Sequence, residues 1–233
     1  MLSVEASAFL NNTAITSVVL PDSITSIGEN AFNGCESLTS VTFGKNSQLS
    51  SIGPGAFNYC YTLESITIPE SVTSIGSDAI YYCYVLRSVT FGENSQLTSI
   101  GDGAFNWCES LESITIPDSV TSIGEGAFCC CAKLTSITIP DGVKSIGNHA
   151  FAGCSALESI TIPDSVLNIG DSAFAECTAL ESITIPDSVL SIGYSAFEGC
   201  TALKNITIPG SVLSIGDNAF KECTALESAT ISE

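Results

Sequence analysis

One stretch decides the fold: LESITIPDSVTSIGEGAFCCCAK, residues Leu111–Lys133. It is one copy of a unit that returns in phase along the chain, at intervals of 23 or 25 residues from the second copy onward. A repeat of this length is typical of solenoids, so the sequence predicts a stacked coil of about ten rungs. The copies open at Ile15, Leu38, Leu63, Leu86, Leu111, Leu134, Leu157, Leu180, Leu203 and Leu226.

The first half of a copy predicts a short strand, as the copy that opens at Leu180 illustrates. Ile183 and Ile185 alternate with Ser and Thr, which is the period of two expected of a strand that buries its isoleucines. Pro186 ends the strand because it has no N–H for the ladder. One rung buries too little apolar surface to fold alone, so we expect neighbouring rungs to stack and their strands to pair in parallel.

The second half of the copy predicts turns. We expect Gly193 to turn the chain with a positive φ. The segment Tyr194–Cys200 then fits a short helical turn that places Phe197 and Cys200, three residues apart, on one buried face.

The consensus L-x-x-I-x-I-P-x-S-V-x-x-I-G-x-x-A-F-x-x-C, as in Leu157–Cys177 and Leu180–Cys200, resembles the BspA-type (Treponema-like) leucine-rich repeat. The resemblance covers nearly the whole chain. It implies a right-handed leucine-rich repeat solenoid, with short parallel β-strands on the concave face and short turns or helical turns on the convex face. It also implies an extracellular or cell-surface protein that takes part in adhesion and binds host proteins.

Nothing between the copies resembles a linker, so residues 1–233 are expected to form a single leucine-rich repeat domain. The chain opens inside a rung and ends on a strand, Ala229–Glu233. We therefore expect a fragment of a longer protein with partial rungs at both ends. Uncapped ends expose core and sheet edge, which predicts end-to-end homo-oligomers as a structural alternative to partner binding.

The charge balance limits the partners. The chain has 25 acidic and 6 basic residues, and its net charge of −19 argues against nucleic acid and anionic membranes and permits a basic protein partner. Its sequence contains no apolar run of 18 residues, so we expect no membrane insertion.

The two longer copies carry an insertion. Those that open at Leu38 and Leu86 replace I-P-D-S-V with residues 43–49, FGKNSQL, and residues 91–97, FGENSQL. Insertions in solenoids form loops along one edge, which is often a binding edge. The alternative is that the inserted residues simply form a different turn and have no role in binding.

Aromatic residues cluster in three adjacent copies. In each of these copies a Tyr or Trp lies two residues after the repeat's Phe, or after the Ile80 that replaces it. Tyr and Trp combine a large rigid surface with a polar group, so this convex aromatic strip is a candidate protein contact. Wider side chains that cover the core are the alternative. The strip consists of Tyr59, Tyr61, Tyr81, Tyr82, Tyr84 and Trp107.

A second candidate surface is the concave face, where Thr recurs on the strand and a charged residue follows the opening Leu. The acidic residues could form a stripe that recognises a basic partner, or they could only keep the face solvated. The regular Ser-x-Thr array is a weaker indication of ice binding. The residues are Glu64, Thr67, Arg87, Thr90, Glu112, Thr115, Glu158, Thr161, Glu181 and Thr184.

Eleven cysteines recur mainly as one small apolar residue per rung, which predicts free, buried thiols. Cys129 and Cys130 fall on the outward part of their turn and should oxidise or cross-link most readily. One Cys per rung without a C-x-x-C or a partner His does not match a zinc site.

No catalytic group stands out from the repeat. His149 is the single His and lies at a variable turn position, and the Ser and Asp residues recur as turn formers. We therefore predict a non-enzymatic protein-binding or adhesion module with no catalytic residue, metal or cofactor.

Overall fold

Parallel strands from successive rungs line the concave face of a coil. A computed structural model of the chain describes residues 2–232. Each strand lies beside the equivalent strand of its neighbour, so that Ser136 pairs with Ser113 on one side and Ser159 on the other. The strands are β2 (Ser17–Leu20), β4 (Ser40–Phe43), β6 (Ser65–Ile68), β8 (Ser88–Phe91), β10 (Ser113–Thr115), β12 (Ser136–Thr138), β14 (Ser159–Thr161), β17 (Asn205–Ile208) and β19 (Ser228–Ile231).

A second stack of shorter strands follows the P-D-S turn. These strands also pair in parallel, with Ile100 between Ile75 and Ile123. The stack comprises β1 (Leu2–Val4), β3 (Ile24–Ile27), β5 (Ser51–Ile52), β7 (Ser74–Ile75), β9 (Ser99–Ile100), β11 (Ser122–Ile123), β13 (Ser145–Ile146), β15 (Asn168–Ile169), β16 (Ser191–Ile192) and β18 (Ser214–Ile215). The predicted solenoid is confirmed.

The core is built from the same places in every rung. Phenylalanines stack along the axis from Phe105 to Phe220, with ring centroids 5.3–5.6 Å apart and planes within 9° of parallel. This spacing suits offset stacked rings and holds consecutive rungs in register. In one rung the buried residues are Leu157, Ile160, Ile162, Val166, Ile169, Ala173, Phe174 and Cys177.

The convex side consists of turns, and the helical turn predicted over Tyr194–Cys200 is wrong. Within this segment the N–H groups of Glu198 and Cys200 bond to carbonyls of their own rung. The N–H groups of Ser195, Phe197 and Gly199 bond instead to carbonyls of the next rung, at 2.8–2.9 Å. An α-helix would use its interior N–H groups within its own segment, so stacking and a helix are incompatible here. Phe197 and Cys200 are both buried, as predicted.

The expectation of a positive φ at Gly193 is also wrong. The left-handed residues of this rung are Ser195 (φ 51) and Gly199 (φ 74). At Gly193 the constraint is space, since an added Cβ would lie 2.5 Å from the carbonyl carbon of Gly170 and 2.6 Å from the nitrogen of Asp171. The missing side chain lets the two backbones approach closely enough for the Gly193 N–H to bond to the Ile169 carbonyl at 2.8 Å.

The strand ladder of the concave face opens after each rung that carries an insertion. Strands β2 and β4 pair over four residues, as do β6 and β8. After the inserted loops the pairing weakens: β8 and β10 pair over two residues, and within residues 2–232 no ladder joins β4 to β6.

Proline contributes to this opening. The Gly44 N–H donates back to the Leu20 carbonyl at 2.9 Å, which ties the first loop to the rung before it. The rung after it has Pro69 at the equivalent place, which has no N–H to offer the Phe43 carbonyl. The second loop repeats this arrangement with Gly92 and Pro117.

The glycine column predicts a stability effect. Replacing Gly193 with Ala forces a methyl group against the backbone of the preceding rung, so we expect a loss of about 1–3 kcal/mol in the free energy of unfolding. Urea unfolding followed by far-UV circular dichroism measures it. The control is Gly210→Ala at an exposed turn position that carries Asp187 in the preceding copy; equal midpoints for the two variants would contradict the steric explanation.

Candidate functional site

The convex aromatic strip starts from an unusual backbone conformation. Tyr59 (φ 58), Tyr82 (φ 55) and Trp107 (φ 59) are left-handed. The equivalent place is left-handed in every rung of the described chain, with glycine at Gly34, Gly153 and Gly199 and with Asn11, Cys130, Glu176 and Glu222 in the rest. Left-handed φ is uncommon for bulky residues and costs roughly 1–2 kcal/mol per residue. The fold therefore imposes this conformation, and these three consecutive rungs differ from the others in placing a bulky aromatic side chain there.

Stacking joins the strip into one surface. The rings of Tyr59 and Tyr82 are 5.4 Å apart and 17° from parallel, and those of Tyr82 and Trp107 are 5.4 Å apart and 12° from parallel. A shorter parallel stack pairs Tyr61 with Tyr84 at 5.5 Å. Tyr81 packs edge-on against Tyr82, with centroids 4.2 Å apart. The structure therefore brings together all six aromatic residues that the sequence singled out.

The strip remains accessible and uncharged. Tyr59 is 36% exposed, and the other five rings are partly exposed. Burial raises the pKa of the phenols of Tyr81, Tyr61 and Tyr84, so these hydroxyls stay protonated at neutral pH. The surface presents rigid rings with neutral hydroxyl groups.

Behind the strip the stack of core phenylalanines is interrupted. It runs from Phe9 through Phe32 to Phe57 and resumes at Phe105, because Ile80 stands between them. In this rung aromatic stacking is therefore found on the surface rather than in the core.

The concave candidates lie in columns on the exposed side of the strands. Thr67 and Thr90 share a hydrogen bond between their hydroxyls, at 2.9 Å. Thr115 lies beside Thr138, and Thr138 beside Thr161. Within the described chain the column is interrupted between β4 and β6 and again after β14, before Thr184.

The charged residues of this face are exposed. Glu64, Glu112 and Glu158 line the face together with Arg87. Glu181 pairs with Lys204 at 2.9 Å, and hydrogen bonding to this lysine lowers the pKa of the Glu181 carboxyl. Both side chains of the pair are more than half exposed, so the pair contributes little to stability.

Two clefts lie beside the inserted loops. The sequence predicted the loops but not the clefts. The first cleft, of about 850 Å³, lies between the two loops and above Pro69–Ser71. The second, of about 680 Å³, lies between the second loop and Pro117–Ser119. The signal in the sequence was the pair of Phe-Gly insertions, each followed one rung later by Ile-Pro.

Nine cysteines form a buried column, as predicted, and all eleven are free. The structure adds a role for the column: the thiol of Cys154 donates to the carbonyl of Phe128 at 3.2 Å, and Cys177 donates to Phe151 at 3.3 Å. The other core thiols bond to the rung before them in the same way. Burial raises the pKa of the thiols in this column, Cys154 to about 12, which makes them poor nucleophiles.

Cys129 and Cys130 differ from this column. Both are partly exposed, and their sulfur atoms are 3.5 Å apart. A hydrogen bond from Cys129 lowers the pKa of the Cys130 thiol to about 7 and raises that of Cys129. Cys130 occupies the left-handed place (φ 58) that Trp107 holds one rung earlier, so the thiol pair lies at the end of the aromatic strip.

Groups able to perform acid–base or metal chemistry are dispersed. His149 is exposed on a left-handed turn position (φ 55). Among residues 2–232, no three His, Cys, Asp or Glu side chains lie close enough together to hold a metal ion.

The sequence profile of the BspA type leucine-rich repeat region matches residues 2–134 and 121–233, in six copies. The chain belongs to this family. No curated protein matches the sequence.

Several solved structures share the BspA-type fold. A leucine-rich repeat protein from Bacteroides ovatus is 33% identical over 95% of this chain, with a TM-score of 0.79, and the chain spans 64% of that protein's length. A leucine-rich cell surface protein from Faecalibacterium prausnitzii is 30% identical over 98% of this chain and 82% of its own, with a TM-score of 0.53. The pneumococcal vaccine antigen PcpA is 26% identical over 100% of this chain and 68% of its own, with a TM-score of 0.67.

Within residues 2–232 the chain has no helix that is long and apolar enough to cross a membrane.

The thiol pair predicts selective labelling. In the folded protein iodoacetamide should modify Cys130 first, with a rate that rises through about pH 7 as the thiol ionises. Peptide mass spectrometry locates the modified residue. In Cys129→Ala the donor is lost, so the midpoint for Cys130 should move to higher pH. Labelling spread evenly over the core cysteines of the folded chain would contradict the predicted difference.

Proposed function

We propose that this BspA-type repeat region is a non-enzymatic protein-binding module of a secreted or surface-exposed protein, and that it contacts its partner through the convex aromatic strip. The stacked series Tyr59, Tyr82 and Trp107 at left-handed backbone positions is the observation that carries the proposal. Other rungs have Gly, Asn, Cys or Glu at this place and retain the same fold, so the aromatic rings are not needed for the turn itself.

The chemistry of the strip suits a protein contact. Tyr and Trp are enriched at the centres of interfaces because a large ring buries much apolar area and loses little conformational entropy. Stacking across rungs holds these rings in place before a partner arrives, which reduces the ordering cost on binding. The description of the Faecalibacterium prausnitzii relative as a cell surface protein supports an extracellular setting.

The test introduces glycine, which other rungs carry at the equivalent place, for example Gly153 and Gly199. A variant with Tyr59→Gly, Tyr82→Gly and Trp107→Gly removes the strip and relaxes the left-handed strain, so thermal stability should change little. Surface plasmon resonance against a panel of purified extracellular-matrix and plasma proteins should show binding by the parent chain and about tenfold or greater weakening in the variant.

The matched control for this variant is Tyr194→Ser, which removes a half-exposed tyrosine distant from the strip and should leave binding unchanged. Full binding by the glycine variant would exclude the strip as the contact surface.

The concave acidic stripe is the alternative contact, and it predicts a different response. Replacing Glu64, Glu112 and Glu158 with Gln would then weaken binding, and the parent affinity would fall steeply with added salt because the partner is basic. The aromatic strip predicts a small salt effect.

End-to-end self-assembly is the structural alternative to partner binding. Light scattering over a range of concentrations measures it: a mass that rises with concentration supports homo-oligomers, and a constant monomer mass excludes them.

A further inference from the structure

The two clefts beside the inserted loops form a matched pair. In each, the loop contributes an Asn and a Gln, the strand a Thr, and the neighbouring turn one carboxylate. The first cleft has Asn46, Gln48, Thr67 and Glu70, and Asn94 and Gln96 of the second loop line its other side. The second has Asn94, Gln96, Thr115 and Asp118. The loops also supply Phe43 and Phe91, which are half-buried at the base of the clefts. The equivalence indicates that both clefts recognise the same chemical group.

Hydrogen bonds from neighbouring rungs hold the loops in place. The Ser71 hydroxyl lies 2.9 Å from the Ser47 carbonyl and 2.7 Å from the Leu49 carbonyl, a shared bond that clamps the first loop. Ser119 clamps the second loop in the same way, at 3.0 and 2.7 Å. The Asn46 N–H bonds to the Asp22 carboxylate at 3.0 Å. A clamped loop loses little entropy when a ligand binds.

The clefts are rich in acceptors. Gln48 donates its side-chain amide to the Asn46 carbonyl at 3.0 Å, and Gln96 donates to the Asn94 carbonyl at 2.9 Å. A carbonyl only accepts, so these bonds identify the nitrogen of each Gln and leave its oxygen free for a ligand. The carboxylates of Glu70 and Asp118 add further acceptors. A ligand that fits must therefore be rich in donors.

Charge does not match between the two clefts. The loop tips carry opposite charges, Lys45 on the first and Glu93 on the second. A cation would meet a lysine at one cleft, and an anion would meet two carboxylates at the other. Apart from one carboxylate in each, the two clefts share only uncharged groups, and their loop tips differ in sign, so the ligand that fits both clefts is neutral.

The spacing of the clefts selects among neutral polymers. On the side of the short strands, where β5, β7 and β9 pair in succession, equivalent atoms two rungs apart are separated by about 10 Å, since paired strands lie about 4.8 Å apart. An extended peptide repeats its side chains on one face every 6.6 Å or so, which does not match. A polyproline helix repeats at about 9.3 Å but offers only carbonyl acceptors to an acceptor-rich cleft. Carbohydrate hydroxyls donate and accept, and the apolar side of a sugar ring can cover a Phe face.

We propose that the paired clefts bind a neutral oligosaccharide, with successive repeats of the sugar chain in the two clefts. This site is separate from the convex aromatic strip and adds a second binding activity to the proposed protein contact.

The experiment is isothermal titration calorimetry of the whole chain with neutral hexasaccharides of glucose, mannose, xylose and N-acetylglucosamine, and with the corresponding monosaccharides. At least one hexasaccharide should bind, and at least tenfold more tightly than its monosaccharide because it reaches both clefts. Hexalysine and nonaproline peptides serve as the rival probes. No binding by any of the four hexasaccharides overturns the proposal, and binding by a rival in that case identifies the chemistry that the clefts accept instead.

The decisive variant removes one cleft while keeping the repeat. Residues 43–49, FGKNSQL, are replaced by IPDSV, the sequence that residues 162–166 adopt in a regular rung. Hexasaccharide affinity should fall about tenfold or more, with the circular dichroism spectrum unchanged. Should the replacement misfold, Gln48→Ala and Gln96→Ala together test the same contacts with the loops intact.

Unaltered hexasaccharide affinity in the folded loop variant, or in the double Gln variant, would overturn the assignment of the clefts. The aromatic-strip variant with three glycines should bind hexasaccharide normally, which separates the failure of this site from the failure of the protein contact.

Discussion

The fold depends on backbone hydrogen bonds between rungs. On the strand sides an N–H donates to the rung before it, as Gly193 does to Ile169. On the turn side the direction reverses, and Phe197 donates to Ala219 of the next rung. Each rung is therefore tied to its neighbours along the short strands and along the turns, and in most rungs along the concave strands too, although its strands are only two to four residues long. Such strands would not be stable alone, and stacking is what makes them so.

This dependence explains the composition of a rung. Glycine stands where a methyl group would hold two backbones apart, as at Gly193. Cysteine stands where a small buried residue can also donate to a carbonyl of the preceding rung, as Cys154 does to Phe128. Burial in the core explains why the side chain at this place is small, and the hydrogen bond between rungs explains why it carries a thiol.

Departures from the consensus become features of the surface. Two added residues after a strand tie a loop to the rung before it and open a cleft toward the rung after it. Bulky residues at left-handed places create a stacked aromatic surface on the opposite side of the coil. Because the repeated positions maintain the core, the variable ones can change without unfolding it. The two proposed binding surfaces both lie in the N-terminal half, among rungs that depart from the consensus.

The repeat period by itself determined the solenoid, its stacked parallel strands, the buried cysteine column and the membership of the aromatic strip. These follow from residues that recur in phase, because a recurring position must occupy the same environment in every rung. Only the tertiary structure decided that Tyr194–Cys200 is not helical and that Gly193 is needed for close approach rather than for φ. Both depend on neighbouring rungs: the next rung accepts the hydrogen bonds of the turn, and the backbone of the preceding rung occupies the space beside Gly193. The clefts also depend on neighbouring rungs, because the strands beside them pair over two residues or not at all, which no single copy of the unit reveals.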